Sequence, residues 1–432
     1  MSNLIFVATC DLAGKVRGKA FPAADLDRRL LRGVGWTPTN VQINCFGDIA
    51  DSPFGSFGDL LLIPDASTRV RAEFGETVED FMLGDIVTLE GVSWEFCTRS
   101  LLRAALDRLH SVAGVTLLAA FEQEFQVNVD QTITGDAFGR AGFEVQRPLC
   151  EELIGQIAAA GFTPDSIMKE YGPDQYEVVI GPEKGVRAAD AAVMVKELAR
   201  SSGRHVGTDL TFTPIRDPKS VGNGVHIHMS FLDSNDHPVT YNSNGLCGMS
   251  DLTQAFAGGV LKYLDSILAM TAPSVVSYLR LTPHRWSAAY NNLGLRDRDA
   301  SLRVCPVTSK DPMAIERQFN LEYRAADAAA SPHLALAAIV HAGVQGIEEG
   351  LKAEVTEEDL SLLSPQTLSA KGFIRLPETL GRALECLSEN ETVKNWFPES
   401  FVPVYRAHKA SELAFLADMD DTERCSVYAS TY

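Results

Sequence analysis

Several segments of this 432-residue chain carry charged side chains two positions apart inside otherwise apolar stretches. Thr116 to Val129 reads TLLAAFEQEFQVNV, with Glu122 and Glu124 at i and i+2. Val225 to Phe231 reads VHIHMSF, which puts His226, His228 and Ser230 on one side of a strand. Phe319 to Arg324 reads FNLEYR and pairs Glu322 with Arg324, while Arg296 to Val304 reads RDRDASLRV. On a strand, residues two apart share a face, so each segment predicts a polar face within an apolar sequence. One such strand alone reads as a half-exposed sheet with its wet side showing. The residue types argue for more. Neighbouring carboxylates repel unless a cation lies between them, and arginines suit phosphates or carboxylates bidentately. Met168 to Gly181, MKEYGPDQYEVVIG, adds Glu170 and Glu177 on either side of a Gly-Pro turn. Two strand ends joined by a tight turn can bring both carboxylates to one ion. Oxygen-rich ligation with a single imidazole suits Mg²⁺ or Mn²⁺ better than zinc.

The surrounding elements follow from periodicity. The first 95 or so residues are rich in turns and short apolar runs such as Leu4 to Cys10, Val41 to Phe46 and Leu60 to Pro64. They read as a small, mainly β domain ending near Trp94 to Thr98. Helical spacing begins at Ser100 to Val112 and returns at Leu149 to Ala160, Ala188 to Ala199 and Leu252 to Met270. Ser331-Pro332 opens a helix over Leu334 to Gly350, with Ser as N-cap and Pro at the first helical position. The last hundred residues read as helical and polar. Two domains result, a small β one and a large α+β one.

Composition narrows the partners. With 57 acidic against 38 basic residues the formal charge is −19. No dense basic patch is present to displace phosphate counterions, so nucleic acid is not expected, and an anionic membrane surface is disfavoured likewise. Apolar runs fall far short of the about 18 residues a membrane span needs. No basic region precedes the first apolar run, so a secretory signal is not expected and the chain reads as cytoplasmic. The eight cysteines show no C-x-x-C and no pairing rhythm, as expected of reduced thiols. Neither a phosphate-binding G-x-x-x-x-G-K-[ST] loop nor a G-x-S-x-G elbow occurs, and Gly222-Asn223-Gly224 lacks the third glycine of a dinucleotide fingerprint.

In this order, the pieces resemble the glutamine synthetase superfamily of ATP-dependent carboxylate–amine ligases. The resemblance covers nearly the whole chain. It runs through DLAGKVRGK (Asp11 to Lys19), LLLIPD (Leu60 to Asp65), FEQEF (Phe121 to Phe125), EYGPDQYE (Glu170 to Glu177) and GNGVHIHMS (Gly222 to Ser230). It continues through RLTP (Arg280 to Pro283), RDRDASLRV, LEYRAAD (Leu321 to Asp327) and SPHLALAAIVHAGVQGI (Ser331 to Ile347).

The resemblance implies an α+β fold: an N-terminal β-grasp domain over 1–96 and a catalytic domain with a curved antiparallel sheet over 97–432. It implies a homo-oligomeric ring, often a dodecamer, with active sites shared between neighbouring subunits. Two or three Mg²⁺ or Mn²⁺ ions per site are implied, one on Glu124, Glu170 and Glu177 and a second on Glu122, His226 and Glu322. Gly222, Arg280 and Arg324 align with glutamate-binding positions, and His228, Ser230, Arg298 and Arg303 with nucleotide and phosphate positions. The implied chemistry is γ-phosphoryl transfer from ATP to a carboxylate, with Arg298 among the catalytic groups, and attack by an amine on the resulting acyl phosphate.

Three departures qualify it. The flap stretch HRWSAAY has Trp286 where the family usually supplies a proton-accepting glutamate. A Trp there is either a packed core residue or an apolar or cation–π wall for an amine's substituent. Asp48 stands one residue from the N-terminal aspartate that contacts ammonium from the next subunit. Val221 replaces an asparagine beside the glutamate site, and Asn320 replaces an arginine near the nucleotide, with Arg317 as the alternative cation. The expectation is a ligase joining glutamate to a primary amine: an alkylamine such as methylamine, a polyamine or ethanolamine. Glutamine synthetase proper, and a non-catalytic family member, are the alternatives.

Overall fold

The structure is a computed structural model describing residues 4–128 and 137–432. Six strands build the N-terminal part: β1 (Leu4–Cys10), β2 (Val16–Pro22), β3 (Val34–Trp36), β4 (Leu60–Pro64), β5 (Val70–Phe74) and β6 (Thr77–Thr88). Their order is β2-β1-β6-β4-β3, with β5 on β6. The central β1–β6 pair is parallel and the other pairs are antiparallel. Alternation decides the buried face: along β5 (VRAEF), Val70, Ala72 and Phe74 are buried and Arg71 and Glu73 are exposed. Val41 to Phe46 contributes no strand. It completes a short 3₁₀ helix (Pro38–Gln42) and enters a loop in which Asn44 Oδ1 accepts from the Phe46 and Asp48 amides.

Among the described residues, eleven further strands carry the catalytic part. They are β7 (Thr116–Phe121), β8 (Gln123–Asn128), β9 (Pro164–Lys169), β10 (Gln175–Ile180), β11 (Glu183–Lys184), β12 (Asp209–Thr211), β13 (Ile227–Leu232), β14 (Leu293–Leu295), β15 (Leu302–Val304), β16 (Leu321–Tyr323) and β17 (Val355–Thr356). They form a four-stranded sheet, β12-β8-β10-β9, and a seven-stranded one, β11-β7-β13-β16-β15-β14-β17. The second is antiparallel as far as β15, after which β14 and β17 join in parallel.

Four expected strands are shorter than the sequence suggested: VHIHMSF is strand only from Ile227, FNLEYR only over Leu321–Tyr323, and two others differ more. The segment from Thr116 is two strands that break at Glu122, where the chain leaves one sheet for the other. There the Glu122 amide donates to the His226 carbonyl (3.0 Å). The expected end of that segment, Val129, lies outside the described residues. In RDRDASLRV only the last three residues are strand, because Arg296 to Ser301 form the loop between β14 and β15.

Helices pack behind the sheets over Thr98–Ala113, Arg147–Ala159, Val186–His205 and Pro332–Glu348. The last is buried along most of its length and packs closely against Asp251–Lys262. A Cβ at Gly346 would lie 2.4 Å from the Gly259 nitrogen, so both positions require glycine. Leu252 to Met270 is not one helix but two, Asp251–Lys262 and Leu264–Thr271, broken at Tyr263 (φ −103°, ψ 9°). Ser331 occupies the N-cap position before Pro332, yet its side chain makes no capping bond. All eight cysteines are free thiols and seven are buried. No helix among the described residues is long and apolar enough to cross a membrane.

Candidate active site

Strand register assembles the acidic centre. In the β10–β8 ladder Glu177 stands directly opposite Glu124, and Glu170 follows the end of β9, on the other side of β10. Like charges in that arrangement are destabilising by themselves. In the other sheet, Glu322 stands opposite both His228 on β13 and Arg303 on β15. Glu122 lies where the two sheets meet. Its two carboxylate oxygens contact His226 Nδ1 and His228 Nε2, each at 2.9 Å.

The electrostatics separate these acids into two groups. Burial opposes ionisation of Glu122, yet hydrogen bonds from His226 and His228 hold its carboxyl well below the usual range. Burial likewise opposes ionisation of Glu322, which Arg324 first, then His226, His228 and Arg303, bring down to about 2. Glu124 and Glu177 make no ion pair among the described residues, and the nearby Arg280 and His228 only partly offset their burial. Burial pushes Glu124 up to about 8, despite its bonds from the Gly224 amide (2.7 Å) and Gln175 Nε2 (3.0 Å). Burial and the Glu122, Glu124 and Glu170 carboxylates push Glu177 up to about 10. Glu170 is raised for the same first reason.

This donor set fits divalent cations. Five carboxylates converge with two imidazoles, and Arg303 and Arg324 are committed to Glu322. The tightest groupings are Glu122, Glu177 and His226, and Glu122, His228 and Glu322, each with ligand atoms within 4.8 Å of one another. They differ from the partition the resemblance implied. Glu122 joins both groups, His228 turns toward it, and Glu124 is drawn toward Gly224 and Gln175.

The acids line one end of a cleft of about 450 Å³ whose other walls carry Arg280, Arg285, Arg298, Arg303 and Arg324. Arg280 is 2% exposed and donates to Ser287 Oγ and the Ala326 carbonyl. Gly222 leaves it room, since a Cβ there would lie 2.7 Å from Arg280 Cδ. Arg324 bonds Glu322 and also the carbonyls of Arg298 (3.0 Å) and Trp286 (3.1 Å), fastening both cleft loops to β16.

Trp286 is 49% exposed and lines the cleft, so it is a wall residue and not a core one. It stacks on Tyr171 (5.1 Å between centroids, 22°), which in turn meets the edge of Phe138 (5.5 Å, 76°). Phe138 and Tyr171, like Arg285 and Gln175, were not singled out from the sequence. Tyr171 and Gln175 sat unremarked within EYGPDQYE, and Phe138 carried no signal at all.

Other expected positions fall elsewhere. His228 and Ser230 do not border the cleft. His228 Nδ1 lies 2.8 Å from Asn320 Oδ1, and Ser230 sits further along β13 opposite Leu118. Asp48 is exposed on an N-terminal loop, away from the cleft of its own chain. Val221 lines the cleft near Gly172. Arg317 is exposed at the end of the Pro312–Gln318 helix.

The fold and the acid-and-arginine cleft define an ATP-dependent ligase that forms carbon–nitrogen bonds. Residues 95–426 match the family described as "Glutamine synthetase, catalytic domain", and residues 1–94 match "Glutamine synthetase N-terminal domain". The chain belongs to the glutamine synthetase family, whose members use ATP and divalent metals. It is 29% identical to a gamma-glutamylpolyamine synthetase of Streptomyces coelicolor, over 99% of this chain and 93% of that one. It is 26% identical to type-1 glutamine synthetase 1 of Dictyostelium discoideum, over 98% of this chain and 88% of that one. Among solved structures, "novel glutamine synthase homolog" superposes with a TM-score of 0.92 at 39% identity, covering 100% of this chain and 98% of that one. An ADP complex of GmaS, at 22% identity over 98% of this chain and 96% of that one, shares the fold (TM-score 0.83).

Proposed function

We propose that this chain condenses glutamate with a primary amine. ATP phosphorylates the γ-carboxylate, the amine nitrogen attacks the acyl phosphate, and phosphate leaves as the nitrogen loses a proton. The products are a γ-glutamyl amide, ADP and phosphate. Methylamine-like alkylamines, polyamines and ethanolamine fall within the acceptor class.

The observation that carries this reading is Trp286. It presents an aromatic ring to the cleft where the family resemblance calls for a carboxylate that accepts the proton of ammonium. An indole cannot accept that proton, but it can cover an amine's substituent. The γ-glutamylpolyamine synthetase among the relatives supports the same class.

The residues take these roles. Glu122, Glu124, Glu170, Glu177, His226 and Glu322, with His228 beside them, hold two or three Mg²⁺ or Mn²⁺ ions. When bound, such ions neutralise charge on the transferring phosphoryl group. Gly222, Arg280 and Arg324 receive glutamate; Ser230, His228 and Arg303 serve the nucleotide; and Arg298, exposed on its loop, meets the developing charge. Asp48 acts on the site of a neighbouring subunit in a homo-oligomeric ring. The N-terminal domain ends near residue 96.

The second reading is glutamine synthetase proper, favoured by relatives of that name matching 91–98% of the chain. Phosphate release by the purified protein with ATP, Mg²⁺ and glutamate, compared across ammonium and a panel of amines, separates them. A preference for amines supports the proposal, and ammonium as best acceptor overturns it. Trp286→Glu is expected to raise ammonium use.

A further inference from the structure

We propose that Phe138, Tyr171, Trp286 and Asp165 form a subsite for the non-reacting end of the acceptor, and that this end carries a second protonated nitrogen. The acceptor is then a diamine or polyamine. The inference rests on the glutamate–amine ligase reading above and narrows its amine.

Three aromatic rings from three separate segments stand side by side on one wall of the cleft. They are 58%, 52% and 49% exposed at Phe138, Tyr171 and Trp286. Half-exposed rings in mutual contact inside a concave wall mark a surface kept for a ligand. The backbone adds independent weight. Phe138 (φ +57°) and Trp286 (φ +56°) both hold the left-handed conformation that bulky residues rarely adopt. Such strain persists only where neighbours enforce it, and it gathers at ligand clamps. The enforcing bonds are present: the Phe138 amide donates to the Lys169 carbonyl (2.9 Å), and Arg324 donates to the Trp286 carbonyl (3.1 Å). Core packing does not explain the strain, because neither ring is buried. These backbone settings place one ring on each side of Tyr171.

A carboxylate elsewhere on the same cleft bears on the occupant. Aromatic faces attract cations through their quadrupole. Asp165 borders the same cleft, is exposed, accepts from Ser166 Oγ (3.3 Å) and makes no ion pair among the described residues. A neutral alkyl tail would use the rings and leave this carboxylate without a partner. An anionic tail would be repelled by it. An ammonium a few methylenes from the reacting nitrogen uses both.

The test compares two acceptors of matched length, 1,4-diaminobutane and n-butylamine, in phosphate release by the full-length protein with ATP, Mg²⁺ and glutamate. The diamine is expected to exceed the monoamine in kcat/KM by roughly two- to fivefold, the scale of a cation–π contact at half-exposed rings. That ratio should fall toward one in Tyr171→Ala and in Asp165→Asn, and survive largely in Trp286→Phe. Because both acceptors are read in the same preparation, a weakly active variant still reports the ratio. Asp165, exposed and without an ion pair, gives a variant with no fold to disturb. Equal use of the two acceptors by the parent protein, or a ratio untouched by Tyr171→Ala and Asp165→Asn, overturns the subsite and leaves the amine ligase standing. Preference for ammonium, or no release with any acceptor, overturns the ligase reading and the subsite with it.

Discussion

Two clusters of buried and half-buried carboxylates in this molecule differ in their electrostatics. At the junction of the N-terminal and catalytic parts, Arg99 donates to both oxygens of Asp190 (2.8 and 2.9 Å), to Asp85 (2.9 Å) and to Asp65 (3.0 Å). His333 contacts Asp190 from the other side at 2.8 Å, and Arg103 pairs with Asp85 at 2.7 Å. Burial opposes ionisation there too, yet the bonds from His333 and Arg99 take Asp190 down to about 2. In the cleft, equally buried Glu124 and Glu177 rise to about 8 and about 10. What differs is the counter-charge. The first cluster carries its own cations and joins the two parts of the chain. In the second, Arg303 and Arg324 serve Glu322 but no ion pair reaches Glu124 or Glu177, which are complete only with cations from outside.

The largest expected effect breaks the self-sufficient cluster. Arg99→Ala leaves Asp190 buried without its guanidinium, which costs about 3–5 kcal/mol. Denaturant unfolding should show the midpoint falling accordingly, and Mg²⁺ should raise the variant's midpoint no more than the parent's, leaving the difference between them unchanged. The cleft should behave in the opposite way. Adding Mn²⁺ or Mg²⁺ at a hundred times its dissociation constant stabilises a protein that binds it only when folded by about 2.7 kcal/mol. Thermal unfolding with and without the ion reads this directly. An unchanged Tm would sink the view that the cleft carboxylates await a cation.

Glu177→Gln sharpens the contrast because its sign reverses. At pH 7 the unfolded chain ionises Glu177, while the metal-free folded chain, with that carboxyl raised to about 10, must keep it protonated. Folding then takes up a proton, so this group's contribution falls as pH rises from about 4.5. Replacing it with Gln should stabilise the metal-free protein by roughly 1–2 kcal/mol at pH 7 and lose that advantage near pH 4. The same substitution should weaken divalent binding, seen as a smaller metal-induced rise in Tm. A variant less stable than its parent without metal would contradict the crowding argument.

Much of the cleft was legible in the sequence because its donors sit at strand spacing and are chemically unusual for a wet face. Glu122, Glu124, His226, Glu322 and Arg324 stood out by that spacing, although Glu122, His226 and Arg324 lie just beyond the strand ends. Register was not legible. That Glu177 faces Glu124, and Glu322 faces Arg303, depends on which strands become neighbours, and no local spacing encodes it. The break at Glu122 had the same origin, since an uninterrupted apolar alternation gives no sign that the chain changes sheets. Helix identity was plain where apolar spacing was strong, but the Leu252 to Met270 pattern continues through Tyr263 although the backbone does not. The aromatic wall was hidden most deeply. Its three rings lie far apart in sequence, and only tertiary structure stacks them.

The smallest expected effect tests the balanced cluster by acid. Asp190 has its folded-state carboxyl lowered to about 2 from a reference of 3.8. A carboxyl lowered on folding contributes stability above its unfolded value and loses it as pH falls through the folded one. The contribution should therefore be complete at pH 5, decline by about 1 kcal/mol by pH 3, and vanish below pH 2. Asp190→Asn removes that titration, so its unfolding free energy should change less steeply over this interval, although it starts lower for want of the charge that meets Arg99. Stability measured from pH 5 to pH 3 in both proteins gives the difference in slope. Equal slopes would mean that Arg99 does not hold Asp190 ionised, and the distinction between a cluster that supplies its own cations and one whose Glu124 and Glu177 lack them would lose its first half.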